Sequence, residues 1–334
     1  MAQGTLIPPI GVGLIGTGYA AKVRAEVINA EPRAQLIGVA GHTRDKLEVF
    51  AKTHQTQAFD TWQGVVNSSA VDLVIISNLN ADHAAIARAA LFAGKHVVVE
   101  YPLALDVSEA ESLIALAENQ KRLLHVEHIE LMGGVHQALL ENLPKIGNPF
   151  YARYATVNPQ RPAPQKWTFN HQLFGFPLTG ALSRLHRFTH AFGKVASVSC
   201  RVNYQHTDGT DPAYYSSCLC SAQLQFQQGL VLDVIYGKGE ALWQTERKLE
   251  VHGSQGGLIF DGDDGIWVNA QGSHHLTVGA RRGLFAKDTT AVLDHLFEGK
   301  PLYVTVQESL YTLKVAEAAR RSAETGQVIE IPVS

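Results

Sequence analysis

Long apolar runs are missing from this chain of 334 residues, and none approaches the ~20 residues that a membrane-crossing helix requires. The opening segment Met1-Ala2-Gln3-Gly4-Thr5-Leu6-Ile7-Pro8-Pro9 also lacks a basic stretch leading into an apolar one, the mark of a secretory leader. The expectation is a cytoplasmic protein with no membrane partner. Cysteine is scarce, at three residues (Cys200, Cys218 and Cys220). An odd count in a chain of this size argues against a disulfide framework. No second cysteine pair stands at zinc-site spacing, so no metal is expected. A surplus of one charge is absent as well: 28 Lys and Arg face 31 Asp and Glu, a net charge of −3. That balance argues against nucleic acid or an anionic membrane as the main partner, while local basic clusters could still bind a small anionic ligand.

What is present suffices for two cores. Apolar residues make up 46% of the chain and charged residues 18%, and the length exceeds the ~100–200 residues of one typical domain. In the first half, short apolar runs alternate with helical patterns. Strands are expected at Ile10–Ile15, Ala34–Ala40, Val71–Ile76, Lys95–Val99 and Leu123–Val126. Helices are expected at Ala20–Ala30, Arg44–Thr53, Trp62–Ser68, Asp82–Ala93 and Ser108–Asn119. Continuous apolar strands separated by helices imply a parallel sheet covered on both faces, a doubly wound Rossmann domain. From Phe150 onward the runs lengthen and alternate: Tyr151–Val157, Val195–Tyr204, Tyr215–Phe226, Leu230–Tyr236 and Arg247–Gly253. Shorter candidates follow at Gly256–Phe260, Gly265–Asn269 and His274–Val278. This second part is expected to be an α+β domain with a large, mainly antiparallel sheet. The boundary is placed at 128/129, giving a nucleotide-binding domain over 1–128 and a substrate domain over 129–334.

The glycine motif Gly16-Thr17-Gly18-Tyr19-Ala20-Ala21 lies between the first strand and the first helix. There Gly16 permits the tight turn, Gly18 lets the backbone approach a pyrophosphate, and Ala21 allows close helix packing. The helix directs its free N–H groups and positive dipole end at the phosphates. Between a strand and a helix, near the N-terminus of an alternating half, the motif points to a dinucleotide. At the end of the second strand no acid is present to engage a ribose 2′-hydroxyl. The sequence is Gly41-His42-Thr43-Arg44, whose hydroxyl and guanidinium suit a 2′-phosphate. NADPH is therefore expected, with NADH weaker, although Thr43 could instead cap the next helix and Arg44 be solvated. The loop Ser77-Asn78-Leu79-Asn80-Ala81-Asp82-His83 sits where a carboxyl-end ligand would bind. Asn78 and Asn80 could contact the nicotinamide ribose or amide, with His83 beside them, while Asp82 and His83 could equally serve the next helix.

Gly-x-Gly-x-x-Ala, the Asn-x-x-His loop, Ala93-Gly94-Lys95-His96-Val97 and Glu100-Tyr101-Pro102-Leu103-Ala104 together resemble the Gfo/Idh/MocA oxidoreductases over the whole chain. The resemblance implies that Glu100 belongs to the cofactor site and that the open sheet face is the substrate floor. It also exposes a loss. The middle position of the Glu-x-Pro turn is usually the lysine that serves as acid–base group for a hydroxyl substrate, and here it is Tyr101. The region where sugar dehydrogenases of the family often place an Asp and a His reads Ser183-Arg184-Leu185-His186-Arg187. The means to deprotonate an alcohol are gone.

Within the family, three segments look like the cyanobacterial-type biliverdin reductases: Glu100–Leu105, Leu124–His136 and Phe174–Arg184. The resemblance implies NADPH-dependent reduction of a bilin at its central methine carbon. Arg184 would stabilise charge developing on the pyrrole nitrogens, either by polarising the pyrrole system or by ordering a water that gives the proton. Tyr101 would stack or hydrogen-bond beside the nicotinamide. A flat pigment with two propionates needs apolar and aromatic surface with a few cations. Phe174, Trp167, Lys166, Arg187 and His128 are the expected contacts, with Tyr236, Arg153, Lys238, Arg281 and Arg282 as further candidates. His128 could instead be structural, as could His125 and Glu127. A sugar or cyclitol dehydrogenase and a non-catalytic NADPH-binding sensor are the competing readings. The oligomer is left open between monomer and homodimer.

Overall fold

The continuous apolar runs of the first half become the inner strands of one sheet in a computed structural model, which describes residues 7–209, 211–280 and 282–332. In chain order these elements are β1 (Ile10–Ile15), α1 (Tyr19–Ala30), β2 (Ala34–Ala40), α2 (Arg44–Thr53), β3 (Gln57–Phe59), α3 (Trp62–Asn67), β4 (Leu73–Ile76), α4 (His83–Phe92), β5 (His96–Glu100), α5 (Val107–Gln120) and β6 (Leu124–Glu127). The six strands lie in the order β3-β2-β1-β4-β5-β6, all parallel. β1 and β4 are buried at every position, as strands covered on both faces must be. The order reverses beside β1, and the carboxyl ends there form the crevice in which doubly wound sheets bind ligands.

The second sheet has nine strands. It is built from β7 (Pro149–Pro159), β8 (Val195–Gln205), β9 (Ser217–Phe226), β10 (Val231–Gly239), β11 (Glu246–Gly253), β12 (Gly256–Asp261), β13 (Asp264–Asn269), β14 (Gly272–Leu276) and β15 (Ile329–Glu330). Their order is β14-β13-β12-β11-β7-β10-β9-β8-β15, and β10 pairs parallel with β7 while the other neighbours in the sheet pair antiparallel. β9 shows the period-two pattern most clearly. Cys218, Cys220, Ala222, Leu224 and Phe226 are buried, while Leu219, Ser221, Gln223 and Gln225 are exposed. Helices α6 (Gly134–Asn142), α7 (His171–Phe174), α8 (Pro177–Gly180) and α9 (Ser183–Phe192) accompany the sheet, and α10 (Leu284–Glu298) and α11 (Val306–Thr325) close the chain. The expected fold class is what the structure has. All three cysteines are buried and unbridged, with 3.6 Å between the sulfurs of Cys200 and Cys220.

Contacts divide the chain after Ile129. Gly283–Leu310 then returns to the first unit, so that unit is assembled from two separate segments. A single cut could not express that return. Val292 and Leu293 of α10 join Ala21, Ala25 and Ile28 of α1 in the first unit's core. No helix among the described residues is long and apolar enough to cross a membrane.

Candidate active site

The first turn of α1 is shaped for a phosphate. Gly16 has φ of +126°, and a Cβ there would lie 2.1 Å from the Ser77 carbonyl oxygen, so only glycine fits. A Cβ on Gly18 would meet nothing within 4 Å. Gly18 is the N-cap of α1 and no side chain caps the helix, so its first N–H groups remain available to an anion. Ala21 is fully buried beneath them. These residues fit a dinucleotide pyrophosphate. A cavity of about 600 Å³ opens beside them, lined by Thr17, Tyr19, Lys22, Asp45, Lys46 and Val49 among others. A second cavity of about 580 Å³, around His96, Leu123 and His295, lies at the amino ends of β5 and β6 and so away from the crevice.

The predicted 2′-phosphate residues sit at the start of α2. Thr43 is its N-cap but makes no side-chain cap bond. Arg44 is exposed and already engaged, with Nε 2.5 Å from Glu48 Oε1 and Nη1 bonded to Asp60. An incoming phosphate would compete with two carboxylates. In the loop after β4, Asn78 donates to Asp82 Oδ2 at 3.2 Å and Asn80 is buried. His83 is buried beneath the loop, with Nδ1 2.8 Å from the Pro102 carbonyl. Burial lowers its pKa to about 4, so the ring is neutral and ties this loop to the Glu100–Pro102 turn.

Below that turn lies a network centred on α10. Arg24 of α1 and Asp288 of α10 are both fully buried, with Nη1 2.8 Å from Oδ2. Asp288 Oδ1 also accepts from Tyr303 Oη at 2.8 Å and lies 2.8 Å from His125 Nε2. Burial alone would raise the Asp288 carboxyl, but Arg24, His125 and Tyr303 together hold it well below the usual range. Burial likewise works against the Arg24 charge, yet Asp288, Glu127 and Glu100 keep it above its ordinary value. Glu100 Oε1 is 4.0 Å from Arg24 Nε. Burial pushes the Glu100 carboxyl up while Arg24 pulls against it.

Tyr101 follows directly, joined to Pro102 by a cis bond, and its ring stacks on His128 at 5.3 Å and 8°. His128 is fully buried, with its N–H donating to Tyr303 Oη at 3.1 Å and Nε2 2.9 Å from Ser309 Oγ. Pattern reading did not find Arg24, Asp288 or Tyr303. One signal was present: Arg24 occupies the apolar stripe Ala21, Arg24, Ala25, Ile28, where a charge needs a partner.

In the second unit, α9 sets Arg184, Arg187 and Phe188 on one face by their three- and four-residue spacing. Arg184 Nε donates to Thr156 Oγ1 at 3.0 Å and Nη1 to Ser183 Oγ at 2.9 Å. Its guanidinium carbon lies 6.0 Å from the ring centres of both Tyr154 and Tyr236. Arg187 is 7% exposed and stands 5.8 Å from the Tyr154 ring. Its Nε and Nη1 are buried with no hydrogen-bond partner among the described residues. His186 is 3.5 Å from Glu130.

Trp167 and Phe174 lie together at 6.0 Å, with Phe174 buried and Lys166 exposed just before them. The Lys238 ammonium stands 3.8 Å from the Phe174 ring centre and donates to the Thr168 carbonyl. Arg153 is taken up by Glu246 at 2.6 Å. Arg282 is exposed, and Arg281 lies outside the described residues. The second unit thus supplies a guanidinium pair, aromatic faces and hydroxyls.

Comparison with known proteins separates an earlier and a later part of the chain. The family model described as "Oxidoreductase family, NAD-binding Rossmann fold" (GFO_IDH_MocA) matches residues 10–128. Its partner, the C-terminal alpha/beta domain, matches residues 140–331. A crystal structure of biliverdin reductase from Synechocystis sp. PCC 6803, in complex with biliverdin and NADP+, is 50% identical, with a TM-score of 0.93 over 95% of this chain and 99% of that one. Human biliverdin reductase A is 26% identical over 318 residues, covering 93% of this chain and 95% of its own. The scyllo-inositol 2-dehydrogenase (NADP+) of Bacillus subtilis is 21% identical over 97% of this chain and 96% of its own.

Proposed function

The chain belongs to the Gfo/Idh/MocA oxidoreductases, and from that premise we propose that it reduces biliverdin IXα to bilirubin with NADPH. The observation that carries this reading is a replacement of chemistry at two positions. Tyr101 stands where the family resemblance implies the ammonium of an alcohol dehydrogenase, and α9 presents Arg184 and Arg187 in the region where it implies an acid–base pair. Those groups donate hydrogen bonds and stabilise negative charge, and a guanidinium does not accept a proton from an alcohol. The 50% identity to a reductase solved with biliverdin and NADP+, over 95% of this chain, supports the same substrate.

NADPH, when bound, supplies the hydride. Gly16, Thr17, Gly18, Tyr19 and Ala20 hold the pyrophosphate at the start of α1, Thr43 and Arg44 receive the 2′-phosphate, and Asn78 and Asn80 receive the nicotinamide half. Glu100 and Tyr101 form the turn beside it, fixed from below by Arg24, His83 and His128. Arg184 stabilises the charge that moves onto the pyrrole nitrogens as the central methine carbon is reduced. Phe174 and Trp167 offer ring faces to the pigment, and Arg187 and Lys166 serve its carboxylates. The protein acts in the cytoplasm as a monomer or homodimer, with no nucleic-acid partner.

One spectrum tests the reading. Protein, NADPH and biliverdin are mixed, and the green absorbance should decay as the yellow one grows. A pigment that stays green, with ready reduction of NADP+ by a polyol, points to the cyclitol dehydrogenases instead. Tight NADPH binding with no turnover of either substrate would indicate a sensor.

A further inference from the structure

Reduction of the pigment needs a proton as well as a hydride, and the guanidinium of Arg184 is a poor source because it stays protonated throughout the working range. The group bracketed by the α9 arginines is a phenol. Tyr154 lies on β7, two residues from the Thr156 that anchors Arg184, and is 6% exposed. Arg184 and Arg187 stand 6.0 and 5.8 Å from its ring, and Phe188 packs at 5.5 Å. The buried, unbonded Nε and Nη1 of Arg187 give this corner donors that lack an acceptor. Such a corner favours a group that becomes negative.

We propose that Tyr154 gives the proton to the pyrrole nitrogen and that Arg184 and Arg187 hold the phenolate left behind. This rests on the bilin-reductase reading. The hydride brings an electron pair to the methine carbon and forms the new C–H bond. The pigment's π electrons move to an imine-type pyrrole nitrogen, whose lone pair takes the proton from Tyr154 Oη. One O–H bond breaks, one N–H bond forms, and solvent returns a proton to the phenolate.

The charges around the ring agree. Burial pushes the phenol up, but Arg184, Arg187 and Arg247 outweigh it, and Glu130 opposes them only in part, so the hydroxyl lies below the ordinary tyrosine value. His136, beside Arg187, has a pKa lowered to about 3 by burial and that arginine, and adds no charge at neutral pH. On α9 with the two arginines, His186 faces Glu130 at 3.5 Å and His190 lies 3.0 Å from His136. Tyr236 also lies 6.0 Å from Arg184, but its other cation is Lys238 at 5.7 Å, which donates to the Thr168 carbonyl.

The test is the single-turnover rate of biliverdin reduction against pH, with both substrates saturating. In the unaltered protein the rate should fall on the alkaline side as the phenol ionises. Tyr154→Phe should lower the rate ~100-fold or more and remove that alkaline limb, with NADPH binding kept as the check on folding. Arg187→Met, which leaves the phenol in place, should move the limb to higher pH. A Tyr154→Phe protein that binds NADPH and keeps both rate and limb overturns the proposal. So does loss of the limb in Tyr236→Phe instead. If the unaltered protein reduces no bilin at all, the fault lies in the functional reading.

Discussion

The buried hub beneath the Glu100–Pro102 turn gives the sharpest stability prediction. Asp288→Asn keeps the shape of the side chain and removes its charge. The native carboxylate uses Oδ2 for Arg24 at 2.8 Å, and Oδ1 for His125 and Tyr303, each at 2.8 Å. An amide cannot replace both oxygens. If its NH₂ faces Arg24, donor meets donor; if it faces Tyr303, the phenol loses its acceptor. Either way Arg24, at 0% exposure, loses its 2.8 Å partner and keeps only the weaker pull of Glu127 and of Glu100, which is 4.0 Å away. Removing one partner of such a pair costs about 3–5 kcal/mol. Replacing both ions by apolar groups removes the uncompensated charge, so Arg24→Met with Asp288→Leu should cost less than Asp288→Asn alone. The assay is urea unfolding of the three proteins at roughly neutral pH. The native carboxyl lies below the usual range, so its stabilisation is fully present above about pH 4 and is lost only as acid takes the solution through the lowered folded value. A loss under about 1 kcal/mol for Asp288→Asn, or a double variant weaker than the single, would refute the reasoning.

Three further outcomes follow from the same contacts. Arg184→Ala should cut kcat far more than NADPH affinity, because its guanidinium binds Thr156 and Ser183 in the second unit; steady-state kinetics with a separate NADPH titration would show an unchanged kcat if this is wrong. Asp60→Asn should raise the KM ratio of NADH to NADPH, because it frees the Arg44 guanidinium from one of two carboxylates, and Arg44→Ala should lower it; a ratio indifferent to both would remove Arg44 from 2′-phosphate recognition. Lys238 has a pKa lowered to about 8 by burial, so the folded protein binds fewer protons than the unfolded one between there and the ordinary lysine value. Stability from this group therefore rises with pH across that window, by roughly 3 kcal/mol at most; Lys238→Met should abolish the rise in denaturant midpoint, and an identical slope in both proteins would exclude it.

The parallel sheet was legible because its strands are buried on both faces and so read as uninterrupted apolar runs, as Leu73–Ile76 shows. The glycine turn was legible because Gly16 has no substitute where a Cβ would strike the Ser77 carbonyl. Boundaries slipped where the chain changes direction on a glycine. The expected strand His274–Val278 is Gly272–Leu276, starting from Gly272 at φ +129°, and α10 begins at Leu284, just after Gly283 at φ +78°. No element was expected over Asp288. Read as a loop residue it would be solvated, whereas on the first turns of α10 it points into the first unit beside Arg24.

The same reasoning explains why the substrate end was less legible than the nucleotide end. A pyrophosphate is held by backbone N–H groups at a helix start, and the residues that allow this are few and close in sequence. A pigment is held by side chains whose roles depend on what lies across the sheet. Tyr154 reads as one more inward aromatic of an alternating strand, and Arg187 as one more helix cation. Only their approach to 5.8 Å, with two guanidinium nitrogens buried and without a hydrogen-bond partner among the described residues, supports the role proposed for them. Arg44 shows the converse. Its place after the second strand suits a phosphate, yet Glu48, one turn along its own helix, and Asp60, beyond β3, already hold its guanidinium. Sequence can place a cation at a site, but its neighbours decide how much of its charge is left for a ligand.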